Sequence, residues 1–186
     1  MKNYKRKYTL FSLCGLNCGL CPMHLDSYCP GCGGGEGNQS CKLARCSLQH
    51  VGIEFCYLCD EYPCEKYEDA GKFDSFITHR NQLKNLDKVK KIGIDAYYIE
   101  LTEKIEILRY LLLNYNDGRR KSFFCLAVNL LELEDVKSVV KQIAAETKSD
   151  TQSLKEKARI AVNLFQTMAV SRNIVLKLNK KTSKKE

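Results

Sequence analysis

Ten of the eleven cysteines of this 186-residue chain lie between Cys14 and Cys64, and this crowding constrains the fold more than any other feature. All three prolines fall in the same stretch, whereas the rest of the chain carries a single cysteine, Cys125. A cysteine-dense segment indicates disulfides in proteins outside the cell and metal or redox chemistry inside it. The chain therefore divides into a cysteine-rich part and a larger part of different composition.

Three cysteine pairs have the spacing Cys-x2-Cys, in which a tight turn lets both sulfurs reach one tetrahedral ion. Glycine and proline residues in or beside these pairs supply the turn geometry. Ten thiols suffice for two four-sulfur sites with two left over, so we predict two zinc ions, and the spacing leaves the pairing open. His24 and His50 are alternative ligands, although thiols are in surplus. The candidate metal ligands are Cys14, Cys18, Cys21, Cys29, Cys32, Cys41, Cys46, Cys56, Cys59 and Cys64.

Few large aliphatic residues recur in the cysteine-rich segment, and residues 31–39 are almost all glycine or polar. We therefore expect no apolar neighbourhood that would bury unligated thiols. A structural zinc contributes roughly 10 to 16 kcal/mol of apparent binding free energy in zinc-finger peptides, enough to fold such a segment. Residues 1–64 are predicted to form a small metal-stabilised, zinc-knuckle-like module with little regular structure.

An iron–sulfur cluster is the serious alternative to zinc. Cys14, Cys18 and Cys21 have the spacing that radical enzymes using S-adenosylmethionine employ, and Gly34-Gly35-Glu36 is similar to their glycine-glycine-glutamate element. Those enzymes fold as β/α barrels of roughly 200 residues or more, and the chain after Cys21 lacks repeated strand-helix alternation. A simple ferredoxin-like cluster stays open at this point.

Residues 65–178 are predicted to form an all-α helical bundle. Apolar residues recur at three- and four-residue steps from Tyr98 to Leu112, which is typical of an amphipathic helix, and glycine and asparagine in residues 114–118 end it. No proline interrupts this part, so we expect three or four antiparallel helices. The other predicted segments are one or two short helices within Glu65–Asn85, an apolar helix over Ser122–Leu131, a helix over Leu133–Ala145, and a helix over Leu154–Leu178 capped by Ser149 and Asp150.

The formal net charge of +8 lies in the tails, because residues 8–175 carry equal numbers of acidic and basic residues. Zinc bound by four thiolates is a 2− unit, so two such sites would lower the net charge to about +4. We expect both tails, including Arg6 and the basic segment 179–186, to be solvated. The balanced middle of the chain gives little support for nucleic-acid binding.

Three consecutive cations, Arg119, Arg120 and Lys121, precede the apolar helix that contains Cys125. Cations at a helix N-terminus oppose the helix dipole, so we consider these three a candidate anion-binding group. We expect Cys125 to be a core residue, because no other thiol is near it in sequence. The alternative for the cations is ion pairing with nearby carboxylates, namely Glu132, Glu134 or Asp135.

We expect that the N-terminal residues are not a targeting signal. Cations followed by the apolar run Tyr8–Leu13 superficially resemble a signal peptide, but the run is short and no cleavage motif follows. No stretch approaches the roughly 20 apolar residues of a membrane span. We therefore expect a cytoplasmic protein without a membrane partner.

Five elements of the first hundred residues resemble the domain of unknown function 3795 family, small cysteine-rich prokaryotic proteins. The resemblance implies zinc binding and no established activity. Many members place a second zinc ribbon after the last of these elements, where this chain has predicted helices. The elements are Cys14-Gly-Leu-x-Cys18-x2-Cys21-Pro, Cys29-Pro-Gly-Cys32, the Cys41/Cys46 pair, Glu54-Phe-Cys56-x2-Cys59-x-Glu-x-Pro-Cys64-Glu, and Ile92-Gly-Ile-Asp-Ala96.

The sequence favours a binding or adaptor module with structural zinc, whose partner is a protein, a nucleic acid or an anionic ligand. No phosphate loop, nucleophile motif or histidine/carboxylate pair at ligand spacing indicates an enzyme. The alternative is an iron–sulfur or thiol-based redox or metal-handling protein. In that case two spare thiols, such as Cys14 and Cys64, would react or pass on a metal.

Overall fold

The computed structural model describes residues 4–36, 41–148 and 152–181. Over these ranges the chain forms α-helices and short 3-10 helices and no β-strand, which confirms that the second part is helical. The α-helices are α1 (Pro22–Leu25), α2 (Lys42–Gln49), α3 (Gln82–Ile92), α4 (Ile94–Asn114), α5 (Lys121–Leu130), α6 (Leu133–Glu146) and α7 (Leu154–Ser171). The 3-10 helices are Cys18–Leu20, Cys56–Leu58 and Glu65–Tyr67.

Contacts between Cα atoms divide the chain into two compact units. Unit 1 comprises Met1–Leu101 and Leu178–Glu186, and unit 2 comprises Thr102–Lys177. The division falls within α4, and the predicted boundary at residue 64 lies inside unit 1. All ten clustered cysteines therefore share one unit with α3 and the first part of α4.

Unit 1 contains a cluster of aromatic side chains. The ring of Phe11, which is fully buried, lies 4.8 Å from the ring of Tyr97 on α4 and 5.7 Å from that of Phe55. Leu13 and Leu20 are also completely enclosed. The expectation that this segment offers no apolar neighbourhood is therefore wrong. Aromatic rings from distant positions supply it, and they follow no helical or strand period.

Helix α3 packs directly on the cysteine-rich loop. Gly15 has a φ of 94°, and a Cβ atom at this position would collide with the carbonyl oxygen of Gln82 at the start of α3. Asn85 Nδ2 donates a hydrogen bond to the Gly15 carbonyl at 2.9 Å, and the Tyr97 hydroxyl donates to Asn17 Oδ1 at 2.8 Å. These close contacts hold the loop that carries the first cysteines.

The segment after α7 returns to unit 1. The backbone N–H of Asn179 donates to Asp74 Oδ2 at 2.8 Å, and the N–H of Asp74 donates to the Asn179 carbonyl at the same distance. Lys180 Nζ donates to the Ser75 carbonyl at 2.8 Å. The predicted basic tail therefore begins with residues that have specific partners.

Unit 2 has a conventional helical core. Helix α7 packs against α5 and α6, and Phe165 of α7 lies 6.0 Å from Phe124 of α5, measured between ring centroids. Both rings are fully buried, as are Val139 and Ile143 of α6. Cys125 on α5 is buried, as expected for a core residue. The predicted helices over Tyr98–Leu112 and Leu133–Ala145 are confirmed as parts of α4 and α6.

The start of α7 is fixed by a capping box. Ser153 Oγ accepts a hydrogen bond from the backbone N–H of Glu156 at 3.3 Å, and Glu156 Oε2 accepts one from the backbone N–H of Ser153 at 2.8 Å. Each side chain thus accepts a hydrogen bond from a backbone N–H group that has no partner within the helix. The predicted caps Ser149 and Asp150 lie outside the described residues, and Ser153 is the N-cap.

The end of α7 differs from the prediction. The helix stops at Ser171, whereas the apolar pattern suggested that it continues to Leu178. Asn173 adopts a left-handed φ of 55°, and the N–H of Ile174 donates back to the Ala169 carbonyl at 2.8 Å. This bond satisfies a terminal carbonyl and turns the chain away from the helix axis.

Candidate metal centre

None of the eleven cysteines, all of which lie in the described ranges, forms a disulfide bond. The ten predicted ligands fall into two groups within unit 1. In the first group, the charges of Cys32, Cys14, Cys21 and Cys29 all act on the thiol of Cys18. Burial, and after it these neighbouring charges, raises the pKa of Cys18 well above its ordinary value. Four thiols therefore lie within electrostatic reach of Cys18.

The turn from Cys18 to Cys21 has the local structure of a metal knuckle. The 3-10 helix Cys18–Leu20 brings the N–H of Cys21 to the Cys18 carbonyl at 3.0 Å, and Pro22 then opens α1. Burial raises the pKa of Cys21, and hydrogen bonds from the backbone N–H groups of Met23 and His24 to its sulfur act in the opposite direction. Backbone donors of this kind stabilise a thiolate that binds a metal.

The turn from Cys29 to Cys32 lies against the N-terminal segment. The N–H of Cys32 donates to the Thr9 carbonyl at 2.9 Å. Gly31, between the two cysteines, has a φ of 88°, and a Cβ atom there would collide with the same carbonyl. Only glycine fits this turn without displacing Thr9, so the sequence Cys-Pro-Gly-Cys holds both sulfurs in a fixed loop.

The two candidate histidines lie beside the cysteine groups. His24 Nδ1 lies 2.9 Å from the Cys29 carbonyl, which can only accept, so this nitrogen is the donor. His50 follows α2, where its backbone N–H donates to the Cys46 carbonyl at 3.1 Å. The ring of His24 therefore donates a hydrogen bond through Nδ1 to the backbone of Cys29. A ring nitrogen that carries this proton is not a metal ligand.

Cys14 is a buried thiol with polar partners of its own. Its Sγ lies 3.1 Å from Ser12 Oγ, and the side chain of Gln82 also hydrogen-bonds to it. Burial raises the pKa of Cys14 to about 11. The charges of Cys32 and Cys41 act on the same thiol, so Cys41 belongs to the edge of the first group. Cys14 is thus a buried thiol with a hydrogen-bond partner that does not depend on a metal.

The second group surrounds a cavity with a volume of about 20 Å³. This volume holds about one water-sized occupant. Its lining includes four thiols, although no group of three or more Cys, His, Asp or Glu side chains in the described ranges has the arrangement of a formed metal site. The lining residues are Leu43, Cys46, Ser47, Ile53, Cys56, Cys59, Glu61, Tyr62, Cys64, Lys66 and Tyr67.

Three separate elements bring these four thiols together. Cys46 lies on α2, and the 3-10 helix Cys56–Leu58 joins Cys56 to Cys59, whose N–H donates to the Cys56 carbonyl at 3.0 Å. The N–H of Cys56 donates to the Leu13 carbonyl at 2.9 Å, which fixes this turn to the first group's loop. Burial raises the pKa of Cys56 to about 12.

Lys66 and Tyr67 also face these sulfurs. The charge of Cys46 is the main cause that raises the pKa of Lys66, and Cys64 contributes as well. The Tyr67 hydroxyl donates to the Cys14 carbonyl at 3.4 Å, and burial, followed by the charge of Cys56, raises the pKa of this hydroxyl above its ordinary value. Sequence reasoning missed both residues, although they follow Cys64 and Glu65 in the chain.

Arg6 was expected to be part of a solvated tail, and this is wrong. Its side chain is 2 % exposed and forms an ion pair with Glu54 Oε1 at 3.1 Å. The guanidinium also donates to the carbonyls of Tyr8, Phe11 and Glu54 and lies over the ring of Phe55. Arg6 therefore ties the N-terminal segment to the residues that precede Cys56. A run of cations in sequence gives no signal that one of them is buried.

The cations Arg119, Arg120 and Lys121 lie in unit 2, remote in sequence from the ten clustered cysteines. Arg120 Nε pairs with Asp117 Oδ2 at 3.3 Å, and the N–H of Arg119 donates to Asp117 Oδ1 at 3.1 Å. Asp135, one of the expected partners, pairs instead with Arg172. A local carboxylate therefore offsets part of this charge, and anion binding here stays a prediction.

In comparisons with known proteins, no family model, curated protein or solved structure matches this chain. The resemblance to the domain of unknown function 3795 family therefore stays a prediction. Among the described helices, none combines the length and the apolar character needed to cross a membrane.

Proposed function

We propose that this chain is a zinc-binding protein in which zinc holds the cysteine-rich part of unit 1 together, and that this part serves as a binding or adaptor module. The observation that carries the proposal is the pair of Cys-x2-Cys turns, Cys18–Cys21 and Cys29–Cys32, which backbone hydrogen bonds hold in place and in which no disulfide forms. Thiols crowded in this way and left reduced are characteristic of metal–thiolate sites.

The proposed ligands of this first ion are the two Cys-x2-Cys pairs, Cys18 with Cys21 and Cys29 with Cys32. Each pair lies on a tight turn, and the Cys21 sulfur receives backbone hydrogen bonds. Cys14 is left out because Ser12 and Gln82 already provide partners for its thiol. Four thiolates close the coordination sphere, so the ion would be structural and would not activate a substrate.

The binding role is proposed for an exposed apolar surface of the same unit. Large apolar side chains are normally covered, and those that are exposed in unit 1 are candidates for contact with a protein partner. These exposed side chains are Tyr28, Leu48, Val51, Leu58, Phe73, Phe76, Ile92 and Ile99.

Anaerobic purification of the full chain, followed by elemental analysis and a visible absorption spectrum of the same sample, tests the proposal. We expect zinc at up to two ions per chain and no visible colour. Stoichiometric iron with the absorption band of a brown cluster would show that the protein binds an iron–sulfur cluster and not zinc. A metal-free chain that keeps its fold would contradict the proposal.

A further inference from the structure

The cavity of the second group has the size and the lining of a site for a single ion. Its volume of about 20 Å³ suits one water-sized occupant, and Cys46, Cys56, Cys59 and Cys64 all line it. A zinc ion bound by four sulfurs at about 2.3 Å needs no more room than this.

The four sulfurs have a chelating arrangement in the sequence. Cys56 and Cys59 form a Cys-x2-Cys pair on a 3-10 turn, and Cys64 follows after four residues. Cys46 reaches the same cavity from the last part of α2. One chelating pair with two further thiols from adjacent elements is the usual composition of a structural zinc site.

Neighbouring groups fit an anionic metal–thiolate centre. Four thiolates around Zn²⁺ leave a net charge of 2−, which requires nearby hydrogen-bond donors and cations. The positive charge of Lys66 interacts with Cys46 and Cys64, and the Tyr67 hydroxyl interacts electrostatically with Cys56. Both residues line the cavity, so they are placed to surround an ion held by the four sulfurs.

We infer that Cys46, Cys56, Cys59 and Cys64 bind a second zinc ion in this cavity, separately from the ion at Cys18, and that Lys66 is a positioning residue that offsets its charge. The inference rests on the proposed function, because it assumes that the protein binds zinc. It makes Cys64 a ligand, whereas the sequence alone allowed Cys64 to be a spare thiol. Cys14 and Cys41 are then the two thiols left over.

Zinc counting by native mass spectrometry on full-length variants tests this partition. The wild type should carry two ions, whereas Cys59→Ser and Cys64→Ser should each carry one. The double variant Cys59→Ser/Cys64→Ser should also carry one, because both residues bind the same ion. Combining Cys59→Ser with Cys18→Ser should remove both ions. Cys125→Ser, which alters a thiol outside the ten clustered cysteines, should keep two and is the matched control.

Each other outcome has a definite meaning. A wild type that carries no metal would overturn the proposed function itself. A wild type that loses zinc in Cys18→Ser but is unchanged in Cys59→Ser and Cys64→Ser would overturn only the second site. A double variant Cys59→Ser/Cys64→Ser that loses both ions would show that these two cysteines serve different ions, which also contradicts the inference.

The role of Lys66 is tested by the rate of zinc transfer to a chromogenic chelator. In Lys66→Ala, one of the two ions should leave about 10-fold faster, since loss of a group that supports metal ligands weakens binding by roughly that factor or more. Lys66→Arg should restore the slower rate because it keeps the positive charge. Unchanged release rates of both ions in Lys66→Ala would contradict the proposed role of Lys66.

Discussion

The two units of this protein bury their interiors in different ways. In unit 2, helices α5, α6 and α7 bring apolar side chains together at helical spacing, with Phe165 and Phe124 at the centre. In the cysteine-rich part of unit 1, α1 and α2 are short, and the interior combines the Phe11 cluster, the buried Arg6 and the buried thiols of Cys14 and Cys56, while the other eight clustered cysteines are half-buried. A helical bundle of this kind needs no ligand, whereas the proposed zinc would cross-link the short segments of unit 1.

Under the proposal, one chain combines a part that depends on zinc with a part that does not. Helices of ten residues or more satisfy their backbone internally and bury one face against each other. Residues 26–36 form no such helix, and hydrogen bonds to Arg6 and Thr9 connect them to the N-terminal segment. The predictions below separate the two units, beginning with the largest effect.

Cys18→Ser should give the largest loss. It removes a ligand of the first proposed ion, and the free energy at stake approaches the roughly 10 to 16 kcal/mol of apparent zinc binding in zinc-finger peptides. We expect one zinc fewer and an early unfolding transition for unit 1, measured by urea titration with circular dichroism. The matched control is Cys125→Ser in unit 2, which should keep both ions. Equal zinc content in the two variants would contradict the account.

Phe165→Ala should destabilise unit 2 by about 3 to 5 kcal/mol, because it empties the space between α5 and α7. The same titration would measure this loss, while the zinc content should stay at the wild-type value. Val170→Ala, at an exposed position of the same helix, should have almost no effect. Zinc loss in Phe165→Ala would show that the stabilities of the two units are not separable.

Arg6→Leu should destabilise unit 1 by about 3 kcal/mol, because it leaves the Glu54 carboxylate and several backbone carbonyls without their donor. The partial exposure of Glu54 keeps the expected loss at the lower end of the range for buried ion pairs. Lys5→Leu changes the exposed neighbour and is the control. Similar unfolding midpoints for the two variants would contradict the claim that Arg6 stabilises unit 1.

Ser153→Ala should have the smallest effect, about 1 kcal/mol, because it removes the capping box of α7. Hydrogen exchange in the first turn of α7 would detect the fraying, and zinc content should not change. Lys155→Ala, an exposed substitution in the same turn, is the comparison. Increased hydrogen exchange in unit 1 would contradict the expectation that loss of this cap affects only α7.

The sequence predicted the helices of unit 2 well because their burial follows the helical period. The regular spacing of Leu101, Ile105, Leu108 and Leu111 located α4, and all four are buried. The end of α7 was missed because apolar residues continue to Leu178 beyond the point where the backbone turns. Periodicity locates a buried face, but it does not reveal a left-handed residue that stops the helix.

The candidate site could be predicted only in part. The ten cysteines were identified from spacing, but their division into a group around Cys18 and a group around the cavity depends on contacts between distant turns. The burial of Arg6 likewise depends on Glu54, which is 48 residues away in the chain. The aromatic neighbourhood of the thiols was missed because Phe11, Phe55 and Tyr97 come from three separate segments.

Hydrogen exchange with mass spectrometry, on the full chain with its metal and after chelation at the same neutral pH, tests the central claim most directly. Removal of the metal should abolish protection in peptides from residues 4–67 and leave protection in α5, α6 and α7 at the metal-loaded level. Unchanged protection of residues 4–67 after complete metal removal would contradict the claim that zinc holds this part of unit 1 together.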